Sequence, residues 1–326
     1  VKNNQVDVLK DLIHAKANID VWKDEKTLLE EALSHADLAV ARLLLEARVD
    51  LQPCFTCVIG SSNGDALKAL IEANADVNAV VDDVLKLTPL HKAARNSRVE
   101  IMQMLLRAGA QLDARDCYGN TVLAATLSYG DKTDIVKFLI EAKASLDALN
   151  DRKESILMIA ARRSRFDIFK HIFDQNPEVD LEMRDAYGNT VLCPAASGGN
   201  ADVIRFLISA KASIDVRNNE GQSPLWLAAR SGVVDAVQVL VDAGASLAST
   251  CDNEGNTLIC AAATLISKSK EAMLRYLISG NASVHETNHL GHAPLFRVVE
   301  DNPYPLEAIQ WLLVAGERVT KPDNDG

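Results

Sequence analysis

An all-α solenoid of stacked helix-turn-helix repeats with protruding hairpin turns is the fold this sequence predicts, and two observations predict it. The first is a period. Thr88-Pro89-Leu90 is followed by Thr121-Val122-Leu123, Ser155-Ile156-Leu157, Thr190-Val191-Leu192, Ser223-Pro224-Leu225 and Thr257-Leu258-Ile259, at steps of 33, 34, 35, 33 and 34 residues. Self-similarity at such a step is the mark of a repeat array. The second is the fixed order of signals inside each copy: a capping hydroxyl, a short apolar run closing on Ala-Ala, a polar turn and a second apolar run.

The fourth copy shows each element most plainly. Thr88 can cap the backbone N–H groups of a helix that opens on Pro89, whose missing N–H costs nothing at the first helical position. Ala93 and Ala94 leave that helix a nearly bare face, so a neighbour can lie close. Val99, Met102, Leu105 and Leu106 then recur at helical spacing, and Gly109 ends the second helix in the positive-φ conformation that glycine tolerates.

Between copies lies Asp-x-x-Gly-Asn, as Asp116-Cys117-Tyr118-Gly119-Asn120 and Asp185-Ala186-Tyr187-Gly188-Asn189. An Asx side chain that bonds its own backbone, followed by Gly, makes a tight exposed turn. With Thr88-Pro89-Leu90-His91-Lys92-Ala93 these residues carry a resemblance to the ankyrin-repeat family, whose repeat bears a Thr-Pro-Leu-His-x-Ala signature. The resemblance covers essentially the whole chain, is specific for the fold, and says almost nothing about a ligand.

Taken in order, the copies divide about as 1–22 (partial), 23–51, 52–79, 80–114, 115–148, 149–182, 183–216, 217–248, 249–286 and 287–320, with 321–326 opening a further one. Val6, Leu9, Leu12 and Ile13, followed by Ala17-Asn18-Ile19-Asp20, read as a second helix and tail without a first helix before them. The third copy is the most degenerate, and the fourth is preceded by a longer turn, Val80 to Leu87. The sixth ends its second helix on Asn176-Pro177. The ninth carries an insertion, Thr264 to Ser269, and the tenth turns at Asp301-Asn302-Pro303-Tyr304-Pro305. About ten repeats in one array are expected. Because they start after a first helix and stop before one, a piece of a longer protein is expected as well.

Composition narrows the function. At 48% hydrophobic but 5% aromatic, the apolar content is mostly Ala, Leu, Val and Ile, as thin helices in single file require. No apolar run reaches the ~20 residues of a membrane span. The net charge of −11 disfavours the nucleic-acid backbone as a ligand of the whole chain. Six cysteines scattered among different copies suit unpaired thiols in a reducing compartment, which points to the cytoplasm.

Candidate chemistry is sparse. Cys54-x-x-Cys57 has the spacing of a zinc or redox pair but no second pair or histidine at matching distance, so structural cysteines are expected. No phosphate loop, nucleophile triad or carboxylate pair recurs at catalytic spacing. The sequence therefore predicts no enzyme, no metal and no cofactor. The resemblance implies a structural His91 bonded to neighbouring backbone. It also implies that partners are met by the two positions after Ala-Ala and by the Asp-x-x-Gly turns, on the concave face.

Those positions supply Arg95, Arg162, Arg163 and Arg230, with Arg98 and Arg165 close by. As stacked helices lie about 10 Å apart, these arginines are expected to line a groove that takes an acidic or phosphorylated segment of another protein. The plainer alternative is solvated arginines paired with nearby Asp and Glu. Tyr118, Tyr129 and Tyr187 fall at turn or groove positions, where exposed aromatics anchor interfaces. Trp226 stands where the signature has His and is either packed or offered to a partner. Leu70, Asp76, Val77 and Asn78 are similar to the Leu-x5-Asp-Val-Asn targets of an asparaginyl hydroxylase, although a hydrogen-bonding turn residue is the favoured reading of Asn78. The expected function is a scaffold for protein–protein recognition. Its alternatives are the targeting or regulatory region of a larger enzyme, channel or bacterial effector, or a structural subunit of a large assembly.

Overall fold

The computed structural model describes residues 2–15, 22–23, 26–34, 38–46, 52–130, 132–163, 165–247, 251–263, 269–296 and 306–314. The tail expected at 17–20, the close of the second repeat at 49–50, the insertion at 264–268, the turn at 301–305 and the further copy at 321–326 lie outside the described residues. The chain divides into two compact units, 1–151 and 152–326.

In the N-terminal unit α1 (Lys2–His14) precedes four helix pairs: α2 (Leu28–Ser34) with α3 (Leu38–Glu46), α4 (Gln52–Ser61) with α5 (Gly64–Glu72), α6 (Pro89–Arg95) with α7 (Val99–Arg107), and α8 (Val122–Ser128) with α9 (Thr133–Glu141). The C-terminal unit holds α10 (Ile156–Arg163) with α11 (Phe166–Gln175), α12 (Leu192–Ser197) with α13 (Ala201–Ser209), α14 (Pro224–Ser231) with α15 (Val234–Asp242), α16 (Leu258–Ala263) with α17 (Ser269–Ser279), and α18 (Leu306–Val314). The β structure assigned to strands is one antiparallel ladder of β1 (Trp22–Lys23) with β2 (Lys26–Thr27), the base of a turn between repeats.

Helices of six to eleven residues, as most of these are, do not hold their shape alone in water, so packing must supply their stability. First helices pack on first helices, α2 on α4 on α6 on α8 and α10 on α12 on α14 on α16. Second helices do likewise, α1 on α3 on α5 on α7 and α11 on α13 on α15 on α17. The Ala-Ala pairs make the close approach possible, for Ala93, Ala94, Ala124, Ala125, Ala160, Ala161, Ala195, Ala196, Ala228 and Ala229 are all buried. Leu67, Leu70, Leu105, Leu139, Leu207 and Leu240 fill the layer between first and second helices.

The predicted caps form at several repeats. Thr88 Oγ1 accepts from the His91 N–H while the Thr88 N–H donates to His91 Nδ1, and Ser223 Oγ accepts from the Trp226 N–H at 3.1 Å. In the third repeat Thr56 sits inside α4, which already begins at Gln52.

At the far end of the second helices, Gly109 and Gly244 take φ of +90° and +104°, but Lys143 and Lys211 hold the same place at +71° and +69°. Their side chains are exposed. A left-handed conformation costs a residue with a Cβ about 1–2 kcal/mol, against about 0.5–1 kcal/mol of extra chain entropy for glycine. Lys143→Gly and Lys211→Gly are therefore expected each to stabilise the protein by about 0.5–1 kcal/mol, read as a higher urea midpoint. A lower midpoint would mean that the lysine side chains hold contacts worth more than the strain.

His91 is buried. Burial pushes its pKa below the ordinary 6.5, outweighing the Asp116 carboxylate and the Asn120 carbonyl, which favour the charged ring. On acidification the unfolded chain binds this proton first. The stability contributed by the neutral ring is thus complete above about pH 6.5 and is lost as the pH falls below it. The urea midpoint should drop between about pH 7 and pH 5, and His91→Gln should flatten that slope while lowering the midpoint at pH 7. Equal slopes in the two proteins would assign the acid sensitivity to another group.

Candidate functional site

The turns are built by repetition of one small device. Asp116 Oδ1 accepts from the Tyr118 and Asn120 N–H groups at 2.8 and 2.9 Å, and Asp185 and Asp252 hold the corresponding donors of their own turns. Consecutive turns are then tied together. In the C-terminal unit the N–H groups of Ala186, Asn219, Asn253 and His289 donate to the carbonyls of Arg152, Tyr187, Glu220 and Glu254 at 2.8–2.9 Å. Asn side chains repeat the link, Asn218 Nδ2 to Asn189 Oδ1 and Asn288 Nδ2 to Asn256 Oδ1, each at 3.0 Å. Gly188, at φ +78°, is required there because a Cβ would run into Asn219 of the next turn.

Three arginines complete the device. Arg115 Nη1 donates to the Gly119 and Leu149 carbonyls, Arg184 Nη1 to those of Gly188 and Arg217, and Arg217 Nη1 to those of Gly221 and Cys251. Each clamps its own turn to the next. Sequence reasoning missed them, although the signal was present: all three stand immediately before the Asx that opens a turn.

This framework places the side chains expected to meet a partner. In the N-terminal unit, Arg95 is exposed at the end of α6 and its guanidinium lies 5.3 Å from the centroid of the half-buried Tyr129 ring. Lys92, one turn earlier, donates to Thr56 Oγ1 at 2.9 Å. Burial lowers its pKa, with Asp82 opposing and Arg95 adding to the effect. The Tyr129 phenol is pushed up, by burial first and then by the Asp116 carboxylate. Arg98 Nη2 donates to the Gly60 carbonyl at 3.3 Å and is otherwise exposed. Lys92, Arg95, Arg98 and Tyr129 are thus gathered on first-helix ends and the turns that follow them, whereas Tyr118, 56% exposed, stands apart at a hairpin tip.

The C-terminal unit treats its arginines differently. Arg162 forms a 2.6 Å ion pair with the buried Glu154, and Arg165 pairs with Asp167 at 2.9 Å. The Arg165 hydrogen bond lowers the Asp167 pKa. Arg163 is exposed at the last residue of α10, and Tyr187, 49% exposed, occupies a turn tip. For Arg162 and Arg165 the plainer reading, pairing with nearby carboxylates, describes the geometry.

Trp226 is buried, with 6% exposure, so it is not an exposed anchor. Its indole Nε1–H donates to the Asn256 carbonyl of the next turn at 3.1 Å, and the Arg230 guanidinium lies 5.8 Å from its ring. The pair lines a cleft of about 450 Å³ whose walls are the turns 219–222 and 252–256 and whose floor includes Cys260 and Ala261. Sequence reasoning missed the acidic side of this cleft, Glu220, Asp252 and Glu254. It was legible: the residue before the turn glycine is Glu220 and Glu254 in these repeats, where the fifth and seventh carry Tyr118 and Tyr187.

Nothing described prepares a reactive group. Cys54 is buried, Cys57 Sγ donates to the Glu30 carbonyl at 3.5 Å, and burial pushes the Cys193 thiol up to about 11. None of the six cysteines forms a disulfide, and no group of His, Cys, Asp and Glu among the described residues is arranged to hold a metal ion. No helix among them is long and apolar enough to cross a membrane. Asn78 has a structural role: its Oδ1 accepts from the Gln111 N–H at 2.7 Å and its Nδ2 donates to the Gly109 carbonyl at 3.2 Å, joining one repeat to the next.

Comparison with known proteins agrees with this architecture. The chain is 34% identical over 123 residues to the ankyrin repeat domain-containing protein SAT10 of Stachybotrys chartarum, 38% of this chain and 6% of that protein. It is 29% identical over 186 residues to Rabankyrin-5 of Mus musculus, 46% of this chain and 16% of the relative. It is 34% identical over 124 residues to neurogenic locus notch homolog protein 1 of Xenopus tropicalis, 37% of this chain and 5% of the relative. The chain thus spans only a small part of the length of these relatives. The family model for ankyrin repeats (3 copies) matches residues 56–150, 109–185 and 157–251, which together cover more than half of the 326 residues. With buried Ala-Ala faces, Asx-Gly turns and this match in agreement, the chain belongs to the ankyrin-repeat family.

Proposed function

We propose that this region is a protein–protein interaction scaffold that binds a partner through first-helix ends and hairpin turns and carries out no catalysis of its own. Ankyrin repeats are in general interaction modules, and the observation that carries the reading here is the cluster in the N-terminal unit. Arg95 rests on Tyr129, Lys92 bonds Thr56 and Arg98 bonds the Gly60 carbonyl, so each is already held in place by a contact to the scaffold. Side chains fixed before binding lose little entropy on binding. Their charge and donor geometry suit an acidic or phosphorylated segment of the partner. Cysteines that form no disulfide fit a reducing compartment, and cytoplasmic action is part of the proposal.

The length of the relatives favours a second, compatible reading, in which the scaffold is the targeting or regulatory region of a larger protein such as an enzyme, channel or bacterial effector. Sequencing the natural message on both sides of the region tests that reading directly.

For the scaffold itself, affinity capture followed by mass spectrometry should identify a partner, and titration of that partner should show binding weakened about tenfold or more by Arg95→Ala with Arg98→Ala, the loss typical of interface anchors. Binding that persists unchanged after Arg95, Arg98, Arg162, Arg163 and Arg230 are all replaced by Ala would remove the arginines from the interface.

A further inference from the structure

The cleft between the eighth and ninth repeats differs in charge from the cationic cluster of the N-terminal unit. Its lining contains three carboxylates, Glu220, Asp252 and Glu254, and one guanidinium, Arg230. Asp252 is consumed by its turn, where both carboxylate oxygens accept from Asn256 and one also from the Glu254 N–H. Glu220 and Glu254 each commit one oxygen, Oε2 in both cases, to a neighbouring amide, Gln222 Nε2 at 2.8 Å and Asn256 Nδ2 at 3.1 Å. These bonds orient the carboxylates on consecutive turns. Arg230 is set over the Trp226 ring, 5.8 Å from its centroid. Trp226, Cys260 and Ala261, at the floor, are almost wholly buried.

A cleft with two oriented carboxylates at its wall matches a cationic side chain. Its volume, about 450 Å³, admits such a side chain together with the backbone that carries it. We propose that this cleft receives an arginine side chain from the partner protein, with the guanidinium at Glu220 and Glu254. Arginine is preferred to lysine because its planar fork can serve two carboxylates at once. The inference rests on the partner-binding reading above and adds the chemistry of a second contact to it.

The indole N–H of Trp226 lines the cleft and gives a separate NMR signal, assigned by its loss in Trp226→Phe. Titration with N-acetyl-arginine amide should shift this signal saturably, with a dissociation constant in about the millimolar range expected of a single residue. N-acetyl-glutamate amide should leave it in place. In Glu220→Gln with Glu254→Gln, which preserves the shape of both turns, the arginine titration should weaken about tenfold or more, with an unchanged far-UV spectrum showing an intact fold. The assignment is overturned by no saturable shift with the arginine probe, by an equal shift with the glutamate probe, or by an arginine shift that survives the double substitution. Any of these with partner binding still sensitive to Arg95 and Arg98 removes the arginine pocket alone. An arginine shift as expected, with partner binding insensitive to Arg95 and Arg98, removes the N-terminal contact instead.

Discussion

Every feature of this molecule depends on neighbouring repeats burying one another's small-residue faces. A first helix such as α6, seven residues long, cannot persist alone, and no single repeat encloses a core. Ala93, Ala94, Ala195, Ala196, Ala228 and Ala229 are buried because the helix of an adjacent repeat lies against them. A side chain larger than alanine at these places would force adjacent helices apart. Stability is therefore a property of pairs of repeats, and what a repeat can offer a partner is whatever this stacking leaves over.

The turns convert that stacking into fixed geometry. Backbone hydrogen bonds from one turn to the next, the Asn–Asn links and the arginine clamps Arg115, Arg184 and Arg217 hold successive hairpins in register. The same residue type thus has opposite roles according to place. Arg184, one position before the turn Asx, is structural, whereas Arg95, at the end of a first helix, rests on Tyr129 and presents its remaining donors outward. Trp226 illustrates the point again. In the position that His91 holds in the fourth repeat, it satisfies its N–H on the next turn and only lines the cleft.

The fold was legible because its signals are local and repeated: Thr88 with Pro89, Ala-Ala, and Asp-x-x-Gly-Asn each have a meaning that does not depend on distant residues. The site was legible only in part. Position after Ala-Ala located Arg95 and Arg230 on first-helix ends, but it could not say that Arg162 would be tied to Glu154, since that pair lies across eight residues and forms only once the turn has folded. The arginine clamps and the Glu220–Glu254 wall were written in the turns themselves. Their roles depend on which carbonyl or amide of the turns lies within reach, and only the folded stack fixes that. Left-handed Lys143 and Lys211 were equally invisible, for nothing local in a lysine announces positive φ.

Net charge is a poor guide to such a surface. A value of −11 describes the chain, yet the N-terminal unit gathers Lys92, Arg95 and Arg98 within one stretch of α6 and its turn, and the C-terminal unit sets Glu220 and Glu254 beside a cleft. Because each repeat is stabilised by its buried face, its exposed turn and helix end can change sign without cost to the neighbours. Opposite charges can therefore be carried at different repeats of one scaffold. An exposed charge contributes little by itself, so the placing of charges within each unit says more about its surface than their sum does.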